Sequence, residues 1–96
     1  MIIVQKFGGS SLANNKLIFN AAEKIINAYT QKNKVIAILS AQGDTTDELI
    51  SKALKINPAP SKRELDNLLI TGEIQSASLM AMAIHKLGYP AISLKS

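Results

Sequence analysis

The chain has 96 residues, 47% of them hydrophobic, and no cysteine, which excludes a disordered chain, a disulfide scaffold and thiolate metal sites. Its formal charge is +4, yet the basic residues are scattered, and only Lys62 and Arg63 are adjacent. With four aromatic side chains in all, it lacks the clustered charge and interleaved rings of a nucleic-acid binder; a small anionic ligand suits it, and no nucleic acid is expected.

The first element is an apolar run, Ile2-Ile3-Val4, that reads as the start of a short buried strand over Ile2–Phe7. The run is too short for a signal peptide or a membrane span, so a cytoplasmic protein without membrane contact is expected. Lys6 stands at the carboxyl end of this strand, followed by Phe7, Gly8, Gly9 and Ser10. The glycines permit a tight turn and let backbone N–H groups reach a ligand. A helix is expected next, with its positive amino end aimed at the same place. The segment reads as a phosphate cradle in which the lysine precedes the glycines, unlike the P-loop. A strand–turn–helix connection without any ligand has the same local pattern.

Residues 14–30 carry Leu17, Ala21, Ile25 and Tyr29 on one ridge and Ile18, Ala22 and Ile26 on the next, which makes one wide buried helical face. Asn14 or Asn15 is the expected cap. Residues 35–39 are a continuous apolar run, typical of a strand covered on both sides. Residues 40–44 form a loop containing Gly43. Thr45 and Glu48 have capping-box spacing, which makes Thr45 the cap and leaves Thr46 free.

Asn57-Pro58-Ala59-Pro60 breaks the chain. Ser61 and Glu64 form a second capping box, and the short helix they open is expected to be interrupted at Thr71-Gly72. Residues 73–87 form the last helix, with Gly88 just past its end. Met80 and Met82 are expected to fill core there, and His85 is a surface or packing residue. Residues 91–94 are expected to form a third strand.

Strands alternating with helices predict an α/β protein: a three-layer αβα arrangement with a mainly parallel sheet, in one domain. In such a sheet ligands bind beyond the carboxyl ends of the strands. The loops at residues 6–10 and 40–46 both fall there, which predicts one polar site.

Three segments carry a family resemblance. Lys6-Phe7-Gly8-Gly9-Ser10-Ser11 resembles the K-F-G-G-[ST]-S motif of the aspartate kinases, in the amino acid kinase family. Ser40-Ala41-Gln42-Gly43-Asp44-Thr45-Thr46-Asp47-Glu48-Leu49 is similar to their S-A-x-G-D-T-T-D-E-L segment. Arg63-Glu64-Leu65-Asp66, then Leu68-Leu69, then Thr71-Gly72-Glu73 resembles their R-E-x-D-x-L-L-x-x-G-E segment. The motifs come in that family's order and cover essentially the whole chain. The resemblance implies that residues 1–96 are a single partial domain, the N-terminal portion of an amino acid kinase catalytic domain. The C-terminal remainder and the ACT regulatory domains would be absent, with Ser96 an arbitrary stop just after a strand.

The resemblance also implies an activity, the phosphorylation of the L-aspartate β-carboxylate by ATP with Mg2+. The product would be 4-phospho-L-aspartate, the first step of the aspartate pathway to lysine, threonine and methionine. The full-length enzyme would be a homo-oligomer, and the fragment alone would be inactive. Lys6 would be the catalytic lysine, neutralising charge between donor and acceptor. Lys6, Phe7, Gly8, Gly9 and Ser10 would bind the nucleotide phosphates, and Ser40, Thr46 and Glu73 the aspartate. Glu73 at a helix start is equally explained by the helix dipole. The motifs name no metal ligand.

Two positions depart from the family pattern. Gln42 stands where methionine is frequent. Ile74-Gln75 reverses the usual order of a polar residue and then isoleucine, which a local adjustment in the first turn of the last helix is expected to absorb. Two other functions fit the residues: another phosphotransferase of the amino acid kinase family, and a small non-catalytic phosphate- or nucleotide-binding module.

Overall fold

The computed structural model describes residues 1–94. Strands β1 (Ile2–Phe7) and β2 (Lys34–Leu39) pair in parallel, in register from Ile2 opposite Lys34 to Phe7 opposite Leu39. A parallel pair needs a crossover, and α1 (Asn15–Thr30) supplies it. The Asn14 side-chain oxygen accepts the Leu17 N–H at 2.9 Å and so caps α1. Helices α2 (Thr45–Ile56) and α3 (Lys62–Lys86) follow. The Ser61 hydroxyl caps α3 by accepting the Glu64 N–H at 3.2 Å.

Exposure alternates along both strands, as a period of two requires. Phe7, Val35, Ala37 and Leu39 pack against a single core made of Leu12, Ile18, Ala21, Ala22 and Ile25 together with Met80, Ala83 and Ile84 of α3. The alanines let α1 and α3 approach closely. Each fully buried Leu or Ile in this cluster contributes roughly 1.5–3 kcal/mol by leaving water. The α/β class and the parallel sheet are as the sequence predicts. The described residues contribute two layers, the sheet and the helices on one of its faces. The other face presents Ile2, Val4, Ile36 and Ile38, each 49–63% exposed.

Three expectations about elements are corrected. Helix α3 runs unbroken for 25 residues through Thr71-Gly72. The Thr71 hydroxyl donates to the Leu68 carbonyl at 2.6 Å and stays within the helix, and Gly72 is buried there for a packing reason given below. Residues 91–94 form no strand, because they make no ladder with either strand of the two-stranded sheet. They line instead an apolar cavity of about 480 Å³ together with Ile26, Val35, Ala37 and Met80. Met80 is buried, but Met82 is 63% exposed. Two positions apart on a helix, these side chains point roughly 200° apart and cannot face one core. His85 is exposed, with Nε2 2.8 Å from the Ala91 carbonyl oxygen, which ties the segment at Ala91 to α3. Gly88 follows the helix at φ +90°, as expected of a residue just past a helix end.

Candidate phosphate and substrate site

Lys6 lies near the carboxyl end of β1 on the exposed face, while Phe7 turns into the core. The chain then enters a short 3₁₀ turn, Gly9–Leu12, in which the Ser11 N–H donates to the Gly8 carbonyl at 3.1 Å. The helix expected directly after the glycines is this turn, and α1 starts only at Asn15. The N–H groups of Gly8, Gly9 and Ser10 have no hydrogen-bond partner among the described residues. A Cβ built on Gly8 would meet nothing within 4 Å, so the backbone there is open to a ligand. Leu12, 1% exposed, anchors the turn in the core.

The loop after β2 is bonded to this turn. The Ser40 N–H donates to the Phe7 carbonyl at 3.1 Å, and the Gly43 N–H to the Gly9 carbonyl at 2.9 Å. The Gln42 Nε2 donates to the Leu12 carbonyl at 2.9 Å. The two loops thus form one surface at the carboxyl ends of the strands, where the sequence predicts a site. Gly9 is required for this closeness, since a Cβ there would lie 2.7 Å from the Ala41 carbonyl oxygen.

The start of α2 differs from expectation. Asp44 is the cap residue and makes no side-chain capping bond; its carbonyl accepts the Glu48 N–H at 3.0 Å. Thr45 is therefore the first helical residue rather than the cap, and its N–H is held by the Gln42 carbonyl at 2.8 Å. The reason lies in the loop, which closes on Gln42 and starts the helix one residue early. Thr45 is half-buried, whereas Thr46 and Ser40 are exposed.

Glu73 is exposed and lies well inside α3, so a helix-start dipole does not account for it. Its neighbour Gly72 is buried against the loop after β2: a Cβ there would lie 2.9 Å from the Ala41 Cβ and 3.2 Å from the Thr45 Cγ2. Ile74 is half-buried and Gln75 exposed. The expected first-turn adjustment does not occur, because α3 has no first turn there; the helix simply presents Ile74 to its neighbours. Sequence reasoning missed the parts played by Gln42 and Gly72. The four-residue spacing of Gly72, Ser76, Met80 and Ile84, one face of a single helix, is the signal that could have revealed the second.

Among the described residues no cluster of three or more Asp, Glu or His side chains could hold a metal ion. No helix among them is long and apolar enough to cross a membrane. The apolar cavity beside residues 91–94 shares no residue with the glycine loop.

A parallel α/β layout with a lysine-and-glycine loop joined to the loop of the neighbouring strand defines a protein with a candidate anion cradle. The chain belongs to the amino acid kinase family, whose model matches residues 1–96. It is 48% identical to an aspartokinase of Geobacillus stearothermophilus over 93 residues, 97% of this chain and 23% of that protein. It is 49% identical to an aspartokinase of Corynebacterium glutamicum over 92 residues, 96% of this chain and 22% of that one. The solved structure of aspartate kinase from Synechocystis matches with a TM-score of 0.95 at 40% identity, covering 98% of this chain and 16% of its own. The chain spans 22–23% of the length of these two curated relatives.

Proposed function

We propose that this chain is the N-terminal portion of an aspartate kinase catalytic domain. In the full-length protein its two joined loops then hold the reacting groups of phosphoryl transfer from ATP to L-aspartate. The observation that carries this reading is the 2.9 Å bond from the Gly43 N–H to the Gly9 carbonyl, which unites the loops beyond the strand ends. The relatives' identities support it. The residues fit a nucleotide phosphate: the unpartnered N–H groups of Gly8, Gly9 and Ser10 suit its oxygens, and the open space at Gly8 admits it. MgATP supplies the γ-phosphoryl group and a cation that screens its charge.

In the transfer, a β-carboxylate oxygen of aspartate bonds to the γ-phosphorus. The bond from that phosphorus to the bridging oxygen breaks, and ADP leaves with the electron pair. The acceptor needs no base, because a carboxylate is already ionised at neutral pH. Acceptor, phosphoryl group and leaving group are all anionic, and the Lys6 ammonium neutralises the charge as it shifts. The Thr46 hydroxyl donates to a substrate carboxylate, with Ser40 as a second hydroxyl, and Glu73 pairs with the α-ammonium. The product, 4-phospho-L-aspartate, opens the route to lysine, threonine and methionine, in a cytoplasmic homo-oligomer.

The test is aspartate-dependent ATP turnover by the full-length protein. Lys6→Ala is expected to lower kcat at least ~100-fold, the scale for losing one contact to developing charge. Near-normal kcat would remove Lys6 from the chemistry. Other acidic acceptors in the same assay separate aspartate from the substrates of other amino acid kinases. ATP binding without turnover of any acceptor would favour a non-catalytic nucleotide-binding module.

A further inference from the structure

Ala41 lies close against glycines from two distant parts of the chain. It is 7% exposed. Its carbonyl oxygen lies 2.7 Å from where a Gly9 Cβ would be, and its methyl carbon 2.9 Å from where a Gly72 Cβ would be. Neither glycine accepts a side chain without movement, but what would move differs. At Gly9 the obstacle is backbone, in a loop that also binds the Gly9 carbonyl through Gly43. At Gly72 the obstacles are side-chain methyl groups, those of Ala41 and, at 3.2 Å, Thr45. A glycine weakens a helix interior, so its presence at position 72 points to the close approach.

We propose that Gly72 is a positioning residue: by seating α3 on Ala41 and Thr45, while Gly9 lies close against the Ala41 carbonyl, it fixes Glu73 and Thr46 relative to the Lys6 loop. Glu73 follows Gly72 directly, and Thr46 follows Thr45. Both substrate candidates therefore stand one residue beyond the pair in contact, and the distance between α3 and the first turn of α2 sets their separation. The role in binding aspartate rests on the aspartate kinase reading; the clamp itself does not.

The geometry makes a specific demand on rescue. Gly72→Ala adds a methyl that meets the methyl of Ala41, so Ala41→Gly removes the main obstacle. Gly9→Ala adds a methyl that meets a carbonyl, which Ala41→Gly leaves in place. In the full-length protein, Gly72→Ala is expected to raise the KM for aspartate roughly tenfold or more and to leave the KM for ATP within about twofold, since small misplacements of binding groups are costly. The double variant with Ala41→Gly is expected to recover most of that loss. Ala41→Gly is not expected to rescue Gly9→Ala.

An unchanged KM for aspartate in Gly72→Ala, with only a lower melting temperature, would reduce Gly72 to packing and overturn the proposal. Equal rescue of both glycine variants would overturn it too. If Gly72→Ala does not fold, the double variant decides: folded and active supports the clamp, unfolded refutes it. If the wild-type protein turns over no aspartate, the proposed function fails separately. The clamp is then read from the melting temperatures of wild type, Gly72→Ala, Ala41→Gly and the double variant, where non-additivity supports it and additivity refutes it.

Discussion

One region of this molecule is packed and the other is merely helical. β1, β2, α1 and the carboxyl-terminal half of α3 enclose Leu12, Ile18, Ala22, Ile25, Met80 and Ile84. Helix α2 has no buried residue, and every buried residue of α3 lies at Gly72 or beyond it. The hairpin of α2 and early α3 has good local signals, including the Ser61 cap and a Lys62–Asp66 ion pair at 3.1 Å. That pair is exposed and worth little. Local signals therefore suffice to define helices, while burial decides how firmly they are held. The candidate site straddles the boundary: the Lys6 loop belongs to the packed region, Thr46 to the hairpin, and Glu73 to the helix they share.

The contrast can be broken most sharply at Leu12. Leu12→Ala is expected to lower the stability of the full-length protein by about 2–5 kcal/mol, as for other buried leucines. Leu54, in α2 and 44% exposed, is the control; truncating it should change stability by no more than about 0.5 kcal/mol. Denaturant midpoints measure both, and equal losses would erase the distinction between the regions. A smaller effect is expected at Ser61, where losing the cap removes about 1 kcal/mol from the helix. If the hairpin opens on its own, Ser61→Ala should speed amide exchange in residues 62–71 and leave the global midpoint alone. A matching fall in the midpoint would show one cooperative unit. The smallest effect concerns Ser76, 3% exposed, whose hydroxyl has no partner among the described residues. Ser76→Ala should leave stability unchanged or raise it by up to ~1 kcal/mol, because no hydrogen bond is lost with the hydroxyl. A clear loss would mean that the hydroxyl is bonded in solution.

What could be read from the sequence was local or topological. The apolar runs gave the strands, and Asn14 and Ser61 marked helix starts, because a cap bonds within its own first turn. The meeting of the Lys6 loop with the Ser40 loop followed from the rule for parallel sheets. What was hidden depended on distant partners. Residues 91–94 have strand-like composition but no ladder, and pairing cannot be read from one segment. Gly72 looks like a break until Ala41 and Thr45 are seen beside it. Gln42 looked like a neutral loop position, yet its amide reaches the Leu12 carbonyl, and loops carry no period from which such a bond can be inferred. The Thr45 cap failed by one residue, which is the usual uncertainty of helix ends.

The parallel pairing of β1 and β2 also fixes an order of events during synthesis. The amino-terminal strand has no partner until a whole helix and a second strand have been made, and closing so long a connection is entropically slow. The turn behind Lys6 has one local bond of its own, from the Ser11 N–H to the Gly8 carbonyl, and gains the Gln42 and Gly43 bonds only once the loop after β2 is in place. Within these residues, the segment that precedes the others in the chain thus waits for the later ones before it is fully held.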